Sequence, residues 1–303
     1  MEVMRQTGSI PFERTAVALG NFDGLHTAHM TIIERCRRYA IEHGCKSGVL
    51  LFSEHTRKLL SEDGVKIITT EAQKLEILEK AGIDFVYIRD FDSEFMHLSP
   101  EDFVRELAAV LHPEAVCVGY DYRFGYKAAG DVELLKELGE KYGFKAIITD
   151  EIDFEGSAVK STLIRELIAE GNVEKAAALL GRPVRIEGKV ERGFQNGRKM
   201  GIPTANIGYS SETAIPKNGV YAGYTYVGGK KYKSVINVGN NPTFGAEKIT
   251  VESHILGFDE DIYGSVIAAE FVKRLRGDIK FADVNELIGQ IKADILQAGK
   301  ELN

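Results

Sequence analysis

Thr15-Ala16-Val17-Ala18-Leu19-Gly20-Asn21-Phe22-Asp23-Gly24-Leu25-His26-Thr27-Ala28-His29 decides the fold of the first half of the chain. Thr15 to Leu19 is a short apolar, β-branched run of strand type, and beyond His29 the apolar positions Met30, Ile33, Cys36, Ala40 and Ile41 recur at helical spacing. Gly20 and Gly24 permit a tight turn between them. Residues three apart share one helix face, so His26 and His29 fall together where a strand turns into a helix. Helix N-terminal amides and two imidazoles in one place suit a phosphoryl group that is gaining charge. A surface turn with two incidental histidines fits the same spacing.

Outward from this stretch, strand-like runs alternate with amphipathic helix-like runs as far as Thr149, which predicts a parallel sheet covered by helices. The expected strands are Ala16–Leu19, Gly48–Phe52, Phe85–Ile88, Ala115–Val118 and Ala146–Thr149. The expected helices are His29–Glu42, Glu71–Ala81, Pro100–Leu111 and Val132–Tyr142. Ser99-Pro100-Glu101-Asp102 marks a helix start, with a cap hydroxyl, a first-turn proline and acids at the positive end of the dipole. Ligands of such sheets collect beyond the carboxyl ends of the strands. Two more loops there carry chemistry. Gly119-Tyr120-Asp121-Tyr122-Arg123-Phe124-Gly125 follows a strand directly, and Lys160-Ser161-Thr162-Leu163-Ile164-Arg165 opens a helix with two hydroxyls and an arginine one turn later. A polar turn and an ordinary capped helix are the plainer readings of these two.

With 303 residues the chain has room for two domains, and a 44% hydrophobic, 27% charged composition is that of a globular protein. A net charge of −7 argues against a broad nucleic-acid or anionic-membrane surface, so any phosphate site is local. Cys36, Cys45 and Cys117 form neither a disulfide framework nor a C-x-x-C pair, which fits a reducing compartment. The start of the chain lacks the apolar core of a secretory signal and no run approaches a membrane span, so a cytoplasmic protein is expected.

Leu163 to Leu180 reads as helical until Gly181-Arg182-Pro183 breaks it, and the domain boundary is expected there, giving units 1–181 and 182–303. Beyond it, short β-like runs (Ile186–Glu191, Val220–Val227, Tyr232–Val238, Thr250–Leu256 and Ser265–Arg274) predict an antiparallel barrel, with a tight hairpin at Gly228-Gly229. A helix over Val284–Ala298 closes the chain, its buried face marked by Leu287, Ile288, Ile291 and Ile295. Gly188 to Gly193 and Gly197 to Asn206 interleave glycines with basic residues, a composition that brings backbone amides to phosphates or simply makes turns. No Walker A sequence is present. Strand alternation puts Glu252 and His254 on one face, with Glu252 the one proton acceptor that looks well placed; an exposed strand carboxylate is the plainer reading of the same residue.

Gly20-Asn21-Phe22-Asp23-Gly24-x-His26-x-x-His29, Gly119-x-Asp121-x-Arg123-Phe124-Gly125 and Ser161-Thr162-x-Ile164-Arg165 together resemble the nucleotidyltransferase domain of prokaryotic bifunctional riboflavin kinase/FAD synthetases. Gly201-x-Pro203-Thr204-Ala205-Asn206, Pro216-x-x-Gly219-Val220-Tyr221, Asn237-Val238-Gly239-x-Asn241-Pro242-Thr243-Phe244, Glu252-x-His254 and Asp261-x-Tyr263-Gly264 resemble its kinase module. The likeness implies a Rossmann-like nucleotidyltransferase domain followed by a riboflavin kinase β-barrel with a terminal helix. It implies ATP-dependent conversion of riboflavin to FMN and of FMN to FAD, with Mg2+ and with ATP as co-substrate. By the same likeness His26 and His29 stabilise the α-phosphoryl transition state. Asn21, Asp23, Asp121, Ser161, Thr162, Arg165, Gly188 and Gly201 bind nucleotide or phosphate. Arg123 and Phe124 bind flavin, Thr204 and Asn206 hold the metal, and Glu252 is the base. The family commonly has glycine where this chain has Ala28, serine where it has Lys160, and a proline-bearing segment where it has Phe52-Ser53-Glu54-His55-Thr56. A kinase with a diverged first domain, or a flavin sensor without turnover, is the alternative.

Overall fold

The computed structural model describes residues 1–5, 8–53, 64–193, 197, 201–241 and 248–302. The chain forms two compact units, Met1–Val65 with Thr69–Lys160, and Lys66–Ile68 with Ser161–Asn303. Glu54, His55, Thr56, Arg198, Lys199, Met200, Pro242, Thr243 and Phe244 of the motifs above lie outside the described residues.

The first unit is built on a parallel sheet of β1 (Glu2–Arg5), β2 (Thr15–Leu19), β3 (Lys46–Phe52), β4 (Phe85–Arg89), β5 (Pro113–Gly119) and β6 (Lys145–Thr149), in the order β1-β4-β3-β2-β5-β6. Its helices are α1 (Thr27–His43), α2 (Glu71–Lys80), the short α3 (Ser93–Met96), α4 (Pro100–Leu111) and α5 (Val132–Tyr142). β2 lies inside the sheet and is buried on both faces. Val17 and Leu19 pack with Phe103, Leu107 and Leu135, whereas Ala16 and Ala18 pack with Ile33, Cys36 and Leu78. Two alanines on the α1 side let that helix approach the sheet closely, which fixes where its N-terminus stands. Ser99 caps α4 by accepting from the Asp102 amide, as the sequence implied. The expected strands and helices are present within a few residues; β1, exposed along most of its length, and the small β7 (Asp153–Phe154) and β8 (Ser157–Ala158) hairpin are additional.

The second unit is a closed barrel of β9 (Val184–Glu191), β10 (Ala205–Ile207), β11 (Gly219–Val227), β12 (Lys230–Asn241), β13 (Lys248–Ile255) and β14 (Val266–Arg276), in the order β10-β13-β12-β11-β14-β9. β10 pairs antiparallel with both β13 and β9 and so closes the ring. Val227 pairs with Lys230 across Gly228 and Gly229, whose φ angles of 55° and 79° belong to the left-handed region that such hairpin loops require. The segment expected as one helix over Leu163–Leu180 is two, α6 (Ser161–Glu170) and α7 (Val173–Leu180), because Gly171 turns left-handed and Asn172 recaps the chain. α7 packs on β9 and β14, so both helices belong to the barrel unit and the compact units part at Lys160, ahead of the break at Gly181.

The terminal helix α8 (Val284–Glu301) covers Val220, Ala222 and Val235 with Ala298 and Leu302. It is locked by Asp294, 2% exposed, which accepts from Arg276 Nε and Nη2 at 2.9–3.1 Å and from Gln290 Nε2 at 2.8 Å. Lys66–Ile68 joins this unit through a parallel bridge between Ile67 and Thr213.

Candidate functional site

At the carboxyl end of β2 the chain takes an unusual path. Phe22 (φ 45°), Gly24 (φ 84°) and Leu25 (φ 41°) are all left-handed, and Phe22 and Leu25 are fully buried. For a residue with a Cβ this conformation costs about 1–2 kcal/mol, here offset by burying two large side chains in the core. Thr69 Oγ1 accepts from the Gly24 amide at 3.0 Å and braces the turn. The result is that His26 becomes the N-cap of α1. Its Nδ1 accepts from the His29 amide at 3.3 Å, and the two rings stack with centroids 3.5 Å apart, tilted by 18°. Phe22 meets His29 edge-on at 5.3 Å. Because Nδ1 of His26 is an acceptor, neutral His26 carries its proton on Nε2. Asp23 and His26 are buried and Asn21 is exposed, so this is a built pair of imidazoles and not an incidental surface turn.

The loop after β5 divides its residues by role. Asp121 and Arg123 are exposed, and Arg123 lies 3.6 Å from Asp131, the N-cap of α5. Phe124 is buried, packing on Phe103 and Tyr122, and a side chain on Gly130 would strike its ring. Beside Asp121, Tyr120 donates to Glu151, which pushes the Tyr120 hydroxyl pKa up. Lys160 is held above its ordinary value by the Tyr120 hydroxyl and by the charges of Asp121 and Glu151. The lysine standing where the family has serine is thus partnered with this acidic group.

Ser161, Thr162 and Arg165 open α6, in the second unit, and Arg165 Nε donates to the Lys66 carbonyl at 2.7 Å.

In the barrel, the ladder itself assembles the remaining candidates. Asn206 of β10 stands opposite both Glu252 of β13 and Glu191 of β9. Thr204 Oγ1 donates to Glu252 Oε2 at 3.1 Å. Glu252 and His254 are half-buried while Val251, Ser253 and Ile255 are buried, so the alternation expected for this strand is present. A cavity of ≈ 250 Å³ is lined by Thr204, Asn206, Pro203, Gly193, Phe258 and Tyr263 and, from β13, by Ser253 and Ile255, with Asp259, Glu260 and Asp261 at its wall. A Cβ on Gly193 would meet the Asn206 side-chain amide and oblige it to shift.

Gly188, to which the likeness gave a phosphate role, lies within a strand. It pairs with Ile267 inside β9, and a Cβ there would overlap the Gly208 carbonyl oxygen, so its bare Cα serves close strand packing. Gly201 is a left-handed turn residue in open space. Sequence reasoning missed Thr69 and Glu151, whose partners are distant in the chain, and it missed what His254 holds: Nδ1 lies 2.8 Å from the Pro203 carbonyl.

Thr204 and Asn206 offer a hydroxyl and an amide oxygen, hard oxygen donors of the kind that magnesium takes together with phosphate oxygens of a nucleotide, and Glu252 stands beside them as a carboxylate. Among the described residues there is no group of three or more His, Cys, Asp or Glu that could hold a metal ion.

A parallel-sheet unit with a histidine pair at a strand–helix turn, followed in the chain by a closed six-stranded barrel with Thr204, Asn206 and Glu252 side by side, defines a two-module class of protein. The family model described as FAD synthetase matches residues 10–163, and that described as riboflavin kinase matches residues 180–302. The bifunctional riboflavin kinase/FMN adenylyltransferase of Listeria monocytogenes is 35% identical over 281 residues, 92% of this chain and 89% of the relative. That of Escherichia coli K12 is 33% identical, covering 95% and 93%. A crystal structure described as a macrolide-efflux protein from Streptococcus pneumoniae is 30% identical, with a TM-score of 0.89 and 98% of each chain covered. The chain belongs to the bifunctional riboflavin kinase/FMN adenylyltransferase family.

Proposed function

We infer that this chain phosphorylates riboflavin with ATP to give FMN, and adenylylates FMN with a second ATP to give FAD. The observation that carries this is the presence of both modules in one chain, each with its chemical group formed: the stacked His26–His29 pair and the Thr204–Glu252 contact.

In the kinase step, Glu252 accepts the proton of the ribityl 5′-hydroxyl as that oxygen bonds to the γ-phosphorus and ADP departs. Thr204 already occupies Oε2, which leaves Oε1 to receive the substrate hydroxyl. Thr204 and Asn206 would hold Mg2+, which when bound would neutralise charge on the transferring phosphoryl group. The adjoining cavity takes one ring system of a substrate, and Gly201 turns the chain that approaches it.

The adenylyl step needs no base, because the attacking FMN phosphate is already anionic. It bonds to the α-phosphorus of ATP and pyrophosphate leaves. What this step requires is donors where charge accumulates, and Nε2–H of His26 together with the His29 ring supplies them. Asn21, Asp23 and Asp121 hold nucleotide and flavin polar groups, the exposed Arg123 serves flavin binding, and the buried Phe124 supports that loop from the core. Ser161, Thr162 and Arg165 keep the outer-phosphate role that the resemblance gives them. An ATP-consuming pair of reactions fits a cytoplasmic location, and no described helix is long and apolar enough to cross a membrane.

The test is to incubate the purified protein with riboflavin, ATP and magnesium and to resolve the flavins chromatographically. FAD is the expected product. FMN alone would leave only the kinase, and unchanged riboflavin would leave a binding protein.

A further inference from the structure

We propose that His254 is a positioning residue of the kinase step, which holds the Pro203–Thr204 peptide so that the Thr204 hydroxyl keeps its place between Glu252 and the metal. The inference rests on the roles assigned above to Thr204 and Glu252. The register pairs Ala205 with Ser253 and Asn206 with Glu252, so Thr204, one residue before β10, comes opposite His254. Among the described residues the β10–β13 pairing begins at Ala205, and Pro203 has no amide hydrogen to extend it. The chain entering β10 would therefore be free to swing at the very residue whose hydroxyl must be fixed. The imidazole of His254 fills that gap: Nδ1 stands 2.8 Å from the Pro203 carbonyl oxygen. A carbonyl accepts only, so Nδ1 is the donor and carries the proton.

Three bonds then converge on a short piece of chain. His254 holds the carbonyl on one side of the Pro203–Thr204 peptide, Thr204 Oγ1 is held by Glu252, and Asn206 is held in the ladder opposite Glu252. His254 and Glu252 lie two residues apart on one strand, so the base and the anchor of the hydroxyl move as one body. Misplacing a positioned group by ~1 Å costs on the order of a hundredfold in rate without removing any group that touches the reacting atoms.

The experiment compares His254→Ala, His254→Asn and His254→Gln in the full chain, measuring FMN formation at varied riboflavin and varied magnesium. Asparagine presents its amide N–H near the place of Nδ1, whereas glutamine presents it near Nε2. The expected result is a fall in kcat of ~10–100-fold for alanine and glutamine. The riboflavin KM should stay within about threefold, and the magnesium concentration for half-maximal rate should rise, with asparagine restoring most of kcat. FAD formation from supplied FMN, carried out by the other module, reports that each variant is intact elsewhere, and thermal unfolding reports on the barrel. If alanine proves unstable, glutamine against asparagine decides. Wild-type kcat in the glutamine variant, or equal damage in asparagine and glutamine, would overturn the proposal. Glu252→Gln in the same assay separates the two readings: full activity there removes the proposed base, whereas the His254 series bears only on the anchor.

Discussion

His26 and His29 are brought together by three residues of chain, whereas Thr204 and Glu252 are brought together across 48. The first pair depends on a local path, a left-handed turn bolted into the core by Phe22 and Leu25. The second depends on strand register, because a slip of one residue between β10 and β13 would turn Asn206 or Glu252 to the other face. One site is therefore vulnerable to changes in backbone conformation and the other to changes in packing between strands.

The sharpest way to break this comparison is to remove the chemistry of one module and watch the other. Glu252→Gln should lower FMN formation by ~10³-fold while leaving FAD formation from added FMN unchanged. His29→Ala should lower FAD formation by ~10²-fold and spare FMN formation, as measured by single-turnover assays on each flavin. A smaller effect is expected from Gly193→Ala, whose new methyl displaces the Asn206 amide. Kinase kcat should fall roughly tenfold and the magnesium requirement should rise, with no change in FAD formation.

The smallest concerns stability of the first unit. Desolvation pushes the Asp84 carboxyl up, but hydrogen bonds from the Ser47 amide and hydroxyl and from Lys46 outweigh it and hold the pKa below the ordinary carboxylate value. A carboxyl depressed in the folded state stabilises at neutral pH, and that contribution is lost as pH falls through the folded-state value. Asp84→Asn should therefore flatten the acid limb of the unfolding curve for this unit, with little change of slope near neutrality.

Most of the parallel sheet was legible because its inner strands are nearly continuous apolar runs bounded by turn residues, as Thr15–Leu19 and Phe85–Arg89 show. β1 was not, since an edge strand reading Glu-Val-Met-Arg has no buried alternation to betray it. The break at Gly171-Asn172 was hidden by helix formers on either side. Of the sites, the motif residues were legible and their geometry was not. Left-handed Phe22 and Leu25 carry no sequence signal, because their conformation is imposed by the core that receives them. Gly188 resembled a phosphate-loop glycine because bare backbone serves equally for approaching a ligand and for admitting the Gly208 carbonyl. The Lys160 departure is clearer in the structure, where Tyr120, Asp121 and Glu151 surround its charge.

The two-glycine loop between β11 and β12 has a consequence for how the barrel forms. Nine residue pairs from Gly219–Val238 to Val227–Lys230 zip from neighbours in the chain, so this hairpin needs little loop closure. The β9–β14 seam, by contrast, joins residues as distant as Val184 and Phe271, and β10 completes the ring only after both its neighbours are in place. Thr204, Asn206 and Glu252 meet at that last seam. During refolding, tyrosine fluorescence of the hairpin should therefore recover before FMN formation does, with kinase turnover serving as the clock for ring closure.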